Sequence, residues 1–321
     1  MLICSIIGCV KKKQQTHTMQ PHEQFSKILE ICKSFMPGMF NSDGNLPHRG
    51  CQPMCSDITV IALSLFQEHI SIGSELRFFA ELNMQMPELA NMLGSRRNYN
   101  TRRRKLLPYI EPLRRNIVKS LFPSTEGSVI LVDSMPIESC RYARAKSCKI
   151  LQDDEDRVPS FGYCATQEQK YFGYKFHCAC TPSGLIYRYD LSQAHHHDIK
   201  YLHDLKDDIS NCYLVGDKGY RSTPWRLTLF EYAGIELATP CRSNELLQYA
   251  MPEDYQRLRK RVEVVFSQLV DQFNVRKSYA KTQPGFFVRV ISKVTLYTLL
   301  QYINTRQNQP ISKTRYTLLS A

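Results

Sequence analysis

Apolar and polar positions divide the chain into two parts with different periodicities. Between residues 22 and 120 the apolar residues recur at helical spacing, which predicts an all-helical region. From residue 125 to residue 304 short apolar runs alternate with amphipathic segments, which predicts strands mixed with helices. The predicted class is therefore α/β, with a mixed-sheet core that follows a set of helices.

Capping residues set the limits of the predicted N-terminal helices. Ser56 or Asp57 is expected to cap an apolar helix that runs to about His69. Ser74 caps the next predicted helix, and the short helix opened by Pro87 ends at a glycine turn. A strongly basic helix is predicted directly after this turn.

Two apolar runs each end in an aspartate. Asp133 closes the segment SVILVDSMP, and Asp217 closes CYLVGDKGY. A continuously apolar run of this length is typical of a strand covered on both faces. Between the two runs, alternating residues on both sides of positions 181–184 predict a hairpin, and a helix is expected from about Asp198 to Ile209.

Glu263 lies in a later amphipathic segment, RLRKRVEVVFSQLVDQF. The apolar residues of this segment fall on one helical stripe, and Glu263 and Arg259 lie together beside it, since residues four apart share a helix face. A carboxylate in that position can reach over the edge of a sheet. A helix ended by Gly234 and a strand precede this segment, and a last helix is predicted from about Gly285 to Asn304.

Carboxylates that converge at strand ends repel one another and raise each other's pKa unless a cation neutralises them. We therefore expect Asp133, Asp217 and Glu263 to bind a divalent metal. Oxygen ligands suit Mg²⁺, with Mn²⁺ as an alternative, and two such ions can assist an in-line phosphoryl displacement. Taken singly, each acid has a simpler explanation: a turn or helix cap for the aspartates, and a surface ion pair for the glutamate.

The charge balance favours a polyanionic partner. The formal net charge is +12, and residues 95–120 carry nine basic residues against one acidic residue. A helix, a glycine turn and a basic helix fit a helix-turn-helix-like unit on DNA, although a solvated helix face is the ordinary alternative. The candidate DNA contacts are Arg96, Arg97, Arg102, Arg103, Arg104, Lys105, Arg114, Arg115, Lys218, Arg242 and Asn244. Arg242 and Asn244 can equally well be interpreted as ordinary loop residues that do not contact DNA.

Other function classes lack their usual signals. No segment reaches the roughly 18 apolar residues of a membrane span, and neither a nucleotide-cradling motif nor a serine-hydrolase elbow occurs. The histidines at 195–197, and Cys178 and Cys180, lack the paired spacing of structural zinc sites. We expect packed cysteines, loop histidines and a helix-capping Asp198 instead, with zinc as the lesser alternative.

The cysteines and the N-terminal segment indicate the cellular compartment of the protein. Twelve scattered cysteines favour reduced thiols in a cytoplasm. The apolar start precedes its lysines, the reverse of a signal peptide. Residues 1–18 are therefore expected to be a disordered extension, with Met19 as an alternative start.

Four short motifs follow one another along the chain: ILVDSMPIESCRYARAK, LVGDKGY, ATPCRSN and RKRVEVVFSQL. Together they resemble the DDE transposases of bacterial insertion sequences, most closely the insertion-sequence 982 family. The segments SDITVIALSLFQEHISIGSELRFF and SRRNYNTRRRKL are similar to that family's leader region. The likeness covers roughly residues 45–305.

The resemblance implies an RNase H-like catalytic core that uses Asp133, Asp217 and Glu263 as metal ligands. It also implies a helical, basic DNA-binding region at about 19–120, a catalytic domain at about 125–305 and a tail at 306–321. Of a Tyr, Arg, Glu and Lys signature in related enzymes, Arg259 and Glu263 are retained, whereas Gln256 and Val270 replace the tyrosine and the lysine.

The activity implied by the resemblance is that of a bacterial, cytoplasmic enzyme that acts on double-stranded DNA. Such enzymes bind terminal inverted repeats, expose 3′-hydroxyls by hydrolysis and join them to target DNA, using two Mg²⁺ ions and acting as homodimers on DNA. Two alternatives remain open. One is a nuclease with a related core that cuts without joining, and the other is a non-catalytic DNA-binding protein derived from a transposase.

Overall fold

The computed structural model describes residues 19–47, 49–165, 168–241 and 251–319. Within these ranges, six helices precede the first strand: α1 (Pro21–Phe35), α2 (Asp57–His69), α3 (Glu75–Gln85), α4 (Pro87–Leu93), α5 (Arg96–Lys105) and α6 (Leu107–Leu121). Ser56, Ser74 and Ser95 each accept a hydrogen bond from a backbone N–H three residues further on. The predicted caps of α2 and α3 are therefore confirmed, and Ser95 is a further cap at the start of α5.

The described strands form one six-stranded sheet. They are β1 (Val129–Glu138), β2 (Ser160–Cys164), β3 (Gln169–Cys180), β4 (Ile186–Gln193), β5 (Tyr213–Val215) and β6 (Glu236–Ala238). The order is β2-β3-β1-β5-β6, and β4 also pairs with β3. Antiparallel pairing joins β1 to β3, and parallel pairing joins β1 to β5 and β5 to β6. This mixed sheet behind a helical region confirms the predicted RNase H-like α/β class.

Four more helices lie among and after the strands: α7 (Ile199–Leu205), α8 (Thr223–Ala233), α9 (Glu253–Asp271) and α10 (Gln283–Arg306). Gly234 ends α8 with a left-handed φ of 62°, as predicted. The helix expected from Asp198 to Ile209 is shorter, because the chain turns at residues 206–208. Ile209 is buried beyond that turn.

Two details of the sheet differ from the sequence-based prediction. Asp133 does not end its strand, since β1 continues to Glu138. The buried Met135 and Ile137 alternate with more polar neighbours and keep β1 paired with β3. Between β1 and the predicted hairpin lies β2, a strand that the sequence did not predict because its residues are exposed or half-buried and give no apolar alternation.

The sheet is covered on both faces. Leu131 and Met135 of β1 belong to a core shared with α1, α2, α9 and α10, whereas Ile130 and Val132 belong to a smaller core with α7 and α8. Asp133 therefore points towards the α9 side, since alternate residues of a strand face the same way. The N-terminal helices and the sheet share the larger core.

The helix α10 is largely buried in this core. Contrary to the expectation that no segment is apolar enough for a membrane span, α10 could cross a membrane by length and composition alone, but 83% of its most apolar window is buried inside the protein. It packs against α2 and α6 from the helical region. This pattern is that of a central helix that holds the two parts of the chain together.

Candidate active site

The strand register brings Asp133 and Asp217 together. In the parallel pair of β1 and β5, Leu131 lies opposite Val215. Each aspartate follows its paired residue by two positions, so both lie at the same edge of the sheet, Asp133 within β1 and Asp217 just beyond the end of β5. The predicted convergence of these two acids is thus a consequence of one parallel strand pair.

The electrostatic environment of Asp133 includes the charge of Asp217. The pKa of Asp133 is raised to about 7, chiefly by burial and also by the nearby Asp217, whereas the backbone N–H of Ser134 and the guanidinium of Arg259 oppose the rise. Ser134 N donates to Asp133 Oδ1 at 2.7 Å. A carboxyl group in this state releases its proton readily when a cation is provided.

Asp217 is fixed by the turn that follows β5. Its Oδ1 accepts a 2.8 Å hydrogen bond from Gly219 N, at the start of the 3-10 turn Lys218–Tyr220. A Cβ atom built on Gly219 would lie 2.9 Å from Asp217 Oδ1 and 3.2 Å from Asp198 Oδ2. Gly219 therefore leaves a small space that both carboxylates border.

Asp198 is a third acid at this edge, and the sequence-based interpretation missed its role. Its side chain makes no helix-capping hydrogen bond, so the expectation of a capping role is wrong. Instead, Asp198 Oδ1 accepts from Ser134 Oγ at 2.7 Å and lies 3.3 Å from Lys175 Nζ. Asp198 also contributes to the raised pKa of Asp133. The only sequence signal for a role of Asp198 is its position directly before a short helix.

Arg259 and Glu263 share a face of α9, and α9 packs on the side of the sheet that Asp133 faces. Arg259 is half-buried and close enough to lower the pKa of Asp133. Glu263, one helical turn further on, is exposed. In the described part of the chain, no group of three acidic, histidine or cysteine side chains is arranged as a metal cluster.

The donor set of Asp133 and Asp217 fits a hard divalent cation. Both are carboxylates, both are half-buried, and their mutual repulsion raises the pKa of Asp133. Mg²⁺ typically takes one or two carboxylates and keeps several waters, so two converging aspartates are a sufficient protein contribution. Glu263 is an exposed carboxylate of α9, the helix that packs on the same face of the sheet.

The predicted DNA-contacting basic residues fall into two groups. Arg96, Arg97 and Lys105 of α5 and Lys218 are exposed, and Arg104 is half-buried. Arg115 is 45% exposed and lies 3.2 Å from Glu111. Arg242 and Asn244 lie outside the described residues. The exposed members are accessible to a DNA phosphate.

Arg103 and Arg114 are fully buried, and the prediction that they contact DNA is corrected. Arg103 donates to Gln67 and to Glu68, each at 2.9 Å. Arg114 donates to the carbonyl oxygen of Ile186 at 2.7 Å. A guanidinium whose donors are used inside the protein stabilises the fold and cannot reach a phosphate.

Arg102 also points inwards. Its Nη2 lies 2.6 Å from Asp57 Oδ1, and its Nη1 donates to the carbonyl oxygen of Cys55 at 2.7 Å. Its side chain is 14% exposed. It therefore ties α5 to the start of α2, and its predicted role in DNA contact is also corrected.

The described histidines and cysteines of these clusters pack against, or hydrogen-bond to, other residues of the protein. Cys178 and Cys180 are buried strand residues, as expected. The exposed His195 contacts Ser160 Oγ through Nδ1 at 2.9 Å. His177 is buried beside Asp198, stacks on Tyr201, and has a pKa lowered to about 4 chiefly by burial.

A comparison with known protein families identifies the family of this chain. The family described as Transposase DDE domain matches residues 124–299, more than half of the chain. The chain belongs to this family, so it is a transposase of the DDE class.

The other comparisons add little. No curated protein matches the chain. Among solved structures, the Mos1 transposase paired-end complex with left transposon end is similar at 15% identity, with a TM-score of 0.21, over 87% of this chain and 86% of that chain. A TM-score this low carries no argument about the fold.

Proposed function

We propose that this protein is a metal-dependent transposase that binds transposon-end inverted repeats, cleaves DNA by hydrolysis and joins the exposed 3′-hydroxyls to target DNA. The observation that carries the proposal is the register-matched pair Asp133 and Asp217, with the pKa of Asp133 raised to about 7. Membership of the DDE transposase family supports it. By its motifs we place the chain in the insertion-sequence 982 family.

In this proposal the acids hold divalent cations, Mg²⁺ or Mn²⁺, with two ions in the working enzyme. Bound cations would activate the attacking oxygen and stabilise the leaving oxygen of the phosphodiester. Asp133 and Asp217 supply the fixed carboxylates, and Glu263 completes the site from α9. Arg259 offsets local negative charge and is available to a DNA phosphate.

Several neighbouring groups keep the acids in place. Gly219 leaves room for substrate beside Asp217, since a Cβ atom there would fill the space between two carboxylates. Asp198 connects β1 to β3 through Ser134 and Lys175, which holds the edge of the sheet on which Asp133 lies. The exposed arginines of α5 position DNA through its phosphates rather than by reading bases.

The proposed partners are transposon ends and target DNA, both double-stranded, bound by a homodimer in the bacterial cytoplasm. The net charge of +12 and the exposed basic residues of α5 support a DNA partner. A protein that acts on chromosomal DNA works at the nucleoid. Chemical crosslinking of the protein with and without DNA tests the dimer.

A strand-transfer assay tests the proposed activity. The substrate is the DNA that flanks the coding sequence, supplied as a labelled duplex with a pre-cleaved 3′-hydroxyl end, together with a supercoiled target plasmid and Mg²⁺. The proposal predicts labelled joined products that disappear with Asp133→Asn or Asp217→Asn. Cutting of intact ends without any joining would indicate the nuclease alternative. Binding without cutting or joining would indicate the non-catalytic one.

A further inference from the structure

A second charged site lies between the helical region and the start of α10. It is a cleft of about 940 Å³ bordered by the end of α2, the start of α3, α5, the segment after α9 and the first turns of α10. We call it the α3–α10 cleft. It shares no lining residue with the carboxylate site described above.

The floor of the α3–α10 cleft holds more positive than negative charge. Glu68 is 2% exposed and is contacted by three cations, with distances from its carboxylate oxygens of 2.9 Å to Arg103 Nη2, 3.1 Å to Arg289 Nε and 3.9 Å to Lys293 Nζ. All three cations are buried. One carboxylate cannot neutralise three buried cations, although the half-buried Glu75 also lines the cleft.

Arg289 carries a donor without an acceptor. Its side chain is 7% exposed, and its Nη1 is buried and has no hydrogen-bond partner among the described residues. A buried donor left unpaired costs about 1–3 kcal/mol, so such donors normally meet a ligand, an ion or water. Because Arg289 lines the cleft, an anion that enters the cleft would supply the missing acceptor.

Burial also disfavours the charged forms of two cations in the cleft. Burial lowers the pKa of Lys293 to about 8, and burial also lowers the pKa of Arg289. Glu68 opposes both shifts without cancelling them. A negatively charged ligand would favour the charged form of each group.

The rim extends this charge across several elements. Arg77 of α3, Arg96 of α5, and Lys277 and Lys281 of the segment before α10 are exposed, and Arg104 is half-buried. A small anion needs only the donors on the floor. Basic side chains spread over three elements instead suit a partner with several phosphates in a row.

We propose that the α3–α10 cleft binds consecutive backbone phosphates of double-stranded DNA, with Arg289 and Lys293 at its floor and Arg77, Lys277 and Lys281 at its rim. This proposal rests on the proposed function, because it assigns a further contact for the same DNA. It joins basic residues from before and after the catalytic sheet into one surface. All five of these residues lie outside the basic stretch at 95–120.

Lysine acetylation of the wild-type protein tests the cleft without any substitution. The full chain is treated with a limiting acetylating reagent, with and without a duplex of the flanking DNA, and each lysine is quantified by mass spectrometry. We expect DNA to reduce acetylation of Lys277 and Lys281 at least threefold. Lys33 and Lys313, which are exposed elsewhere, serve as internal controls and should not change. Equal change at all four lysines would overturn the proposal.

A matched pair of variants gives a second test. The cleft variant combines Arg77→Gln, Lys277→Gln and Lys281→Gln, and the control variant combines Lys33→Gln, Lys313→Gln and Arg315→Gln. Both remove three exposed positive charges. Binding to the labelled duplex is measured by fluorescence anisotropy over a salt series, in EDTA. Each lost phosphate contact should reduce the salt slope by about 0.9, so the cleft variant should lose a slope of about 2 to 3 and the control less than 1.

The outcomes separate this proposal from the proposed function. Binding in EDTA requires no catalysis. If the protein shows no strand transfer but the cleft variant still loses more of its salt slope than the control variant, the proposed function is wrong and the cleft proposal stands. If the wild-type protein performs strand transfer and the two variants bind DNA identically, only the cleft proposal is overturned. A third arm adds inorganic phosphate at constant ionic strength. If phosphate stabilises the wild-type protein against heat while DNA protects neither cleft lysine, the site is a small-anion site and the DNA proposal is wrong.

Discussion

The Ser134 hydroxyl donates a 2.7 Å hydrogen bond to Asp198 Oδ1, directly beside the first candidate metal ligand. The same oxygen lies 3.3 Å from Lys175 Nζ, so one carboxylate connects β1, β3 and the start of α7. This contact ties the strand that carries Asp133 to its neighbours at the edge where the site forms. The carboxylate pair therefore depends on a supporting ion pair as well as on strand register.

Replacement of Asp198 should destabilise the protein through Lys175. We expect Asp198→Asn to lower the free energy of unfolding by about 1–3 kcal/mol, because the largely buried ammonium loses its charged partner. Urea denaturation at pH 7 measures this change. In a double-mutant cycle, Lys175→Met should remove most of the penalty. Additive effects of the two substitutions would show that the pair is not coupled.

Asp133 should make stability depend on pH in the absence of divalent ions. Its pKa is raised on folding, so the folded state binds the proton more tightly than the unfolded state. The contribution of Asp133 to stability is therefore fully present below about pH 4 and is lost as the pH rises towards 7. At 1.36 kcal/mol per pKa unit, the loss from this group is up to about 4 kcal/mol.

Urea denaturation in EDTA at pH 4, 5.5 and 7 tests this dependence. Wild type should lose up to about 4 kcal/mol more than Asp133→Asn across the series. Added Mg²⁺ should restore stability at pH 7 in the wild type, because a ligand that binds only the folded state stabilises it. Parallel curves for the two proteins would contradict the raised pKa.

Glu263 should matter for activity and not for folding. It is exposed on α9, so Glu263→Gln should change the free energy of unfolding by less than about 0.5 kcal/mol. The same substitution should reduce DNA cleavage at least a hundredfold, because the site loses its third carboxylate. Glu253→Gln, at an exposed acid at the start of the same helix, is the matched control and should cleave normally. Equal cleavage by the two variants would remove Glu263 from the site.

Two arginines of α5 should behave in opposite ways. Arg103 is buried against Glu68, so Arg103→Met should lower the free energy of unfolding by about 3 kcal/mol. Arg97 is exposed, so Arg97→Gln should leave stability within about 0.5 kcal/mol of wild type and weaken DNA binding. Thermal melts and anisotropy titrations measure the two effects. A stable Arg103→Met protein would contradict the buried assignment.

Sequence periodicity was sufficient for most elements because their signals are local. Serine caps, the glycine after α8 and the apolar runs before the two aspartates each predict an element from a few residues. The order of these elements then placed Asp133 and Asp217 at one edge. Their adjacency depends on the parallel pairing of β1 with β5, a long-range contact that the sequence indicated only through the resemblance to DDE transposases.

What the sequence could not show depends on long-range contacts. Charge alone does not distinguish the exposed Arg97 from the buried Arg103, because burial is decided by Glu68 on another helix. Asp198 resembles a helix cap locally, yet its partners come from β1 and β3. Net charge is visible in a sequence, whereas the pairing of each charge is a property of the fold.

Mapping by iron-mediated cleavage tests the central claim, that Asp133, Asp217 and Glu263 surround one metal site. Fe²⁺ replaces Mg²⁺, and ascorbate with peroxide generates radicals that cut the backbone close to the bound ion; the fragments are identified by mass spectrometry. The account predicts cuts clustered around residues 133, 217 and 263, suppressed by excess Mg²⁺ and absent in Asp133→Asn. Cuts clustered elsewhere, or unchanged by that substitution, would contradict it.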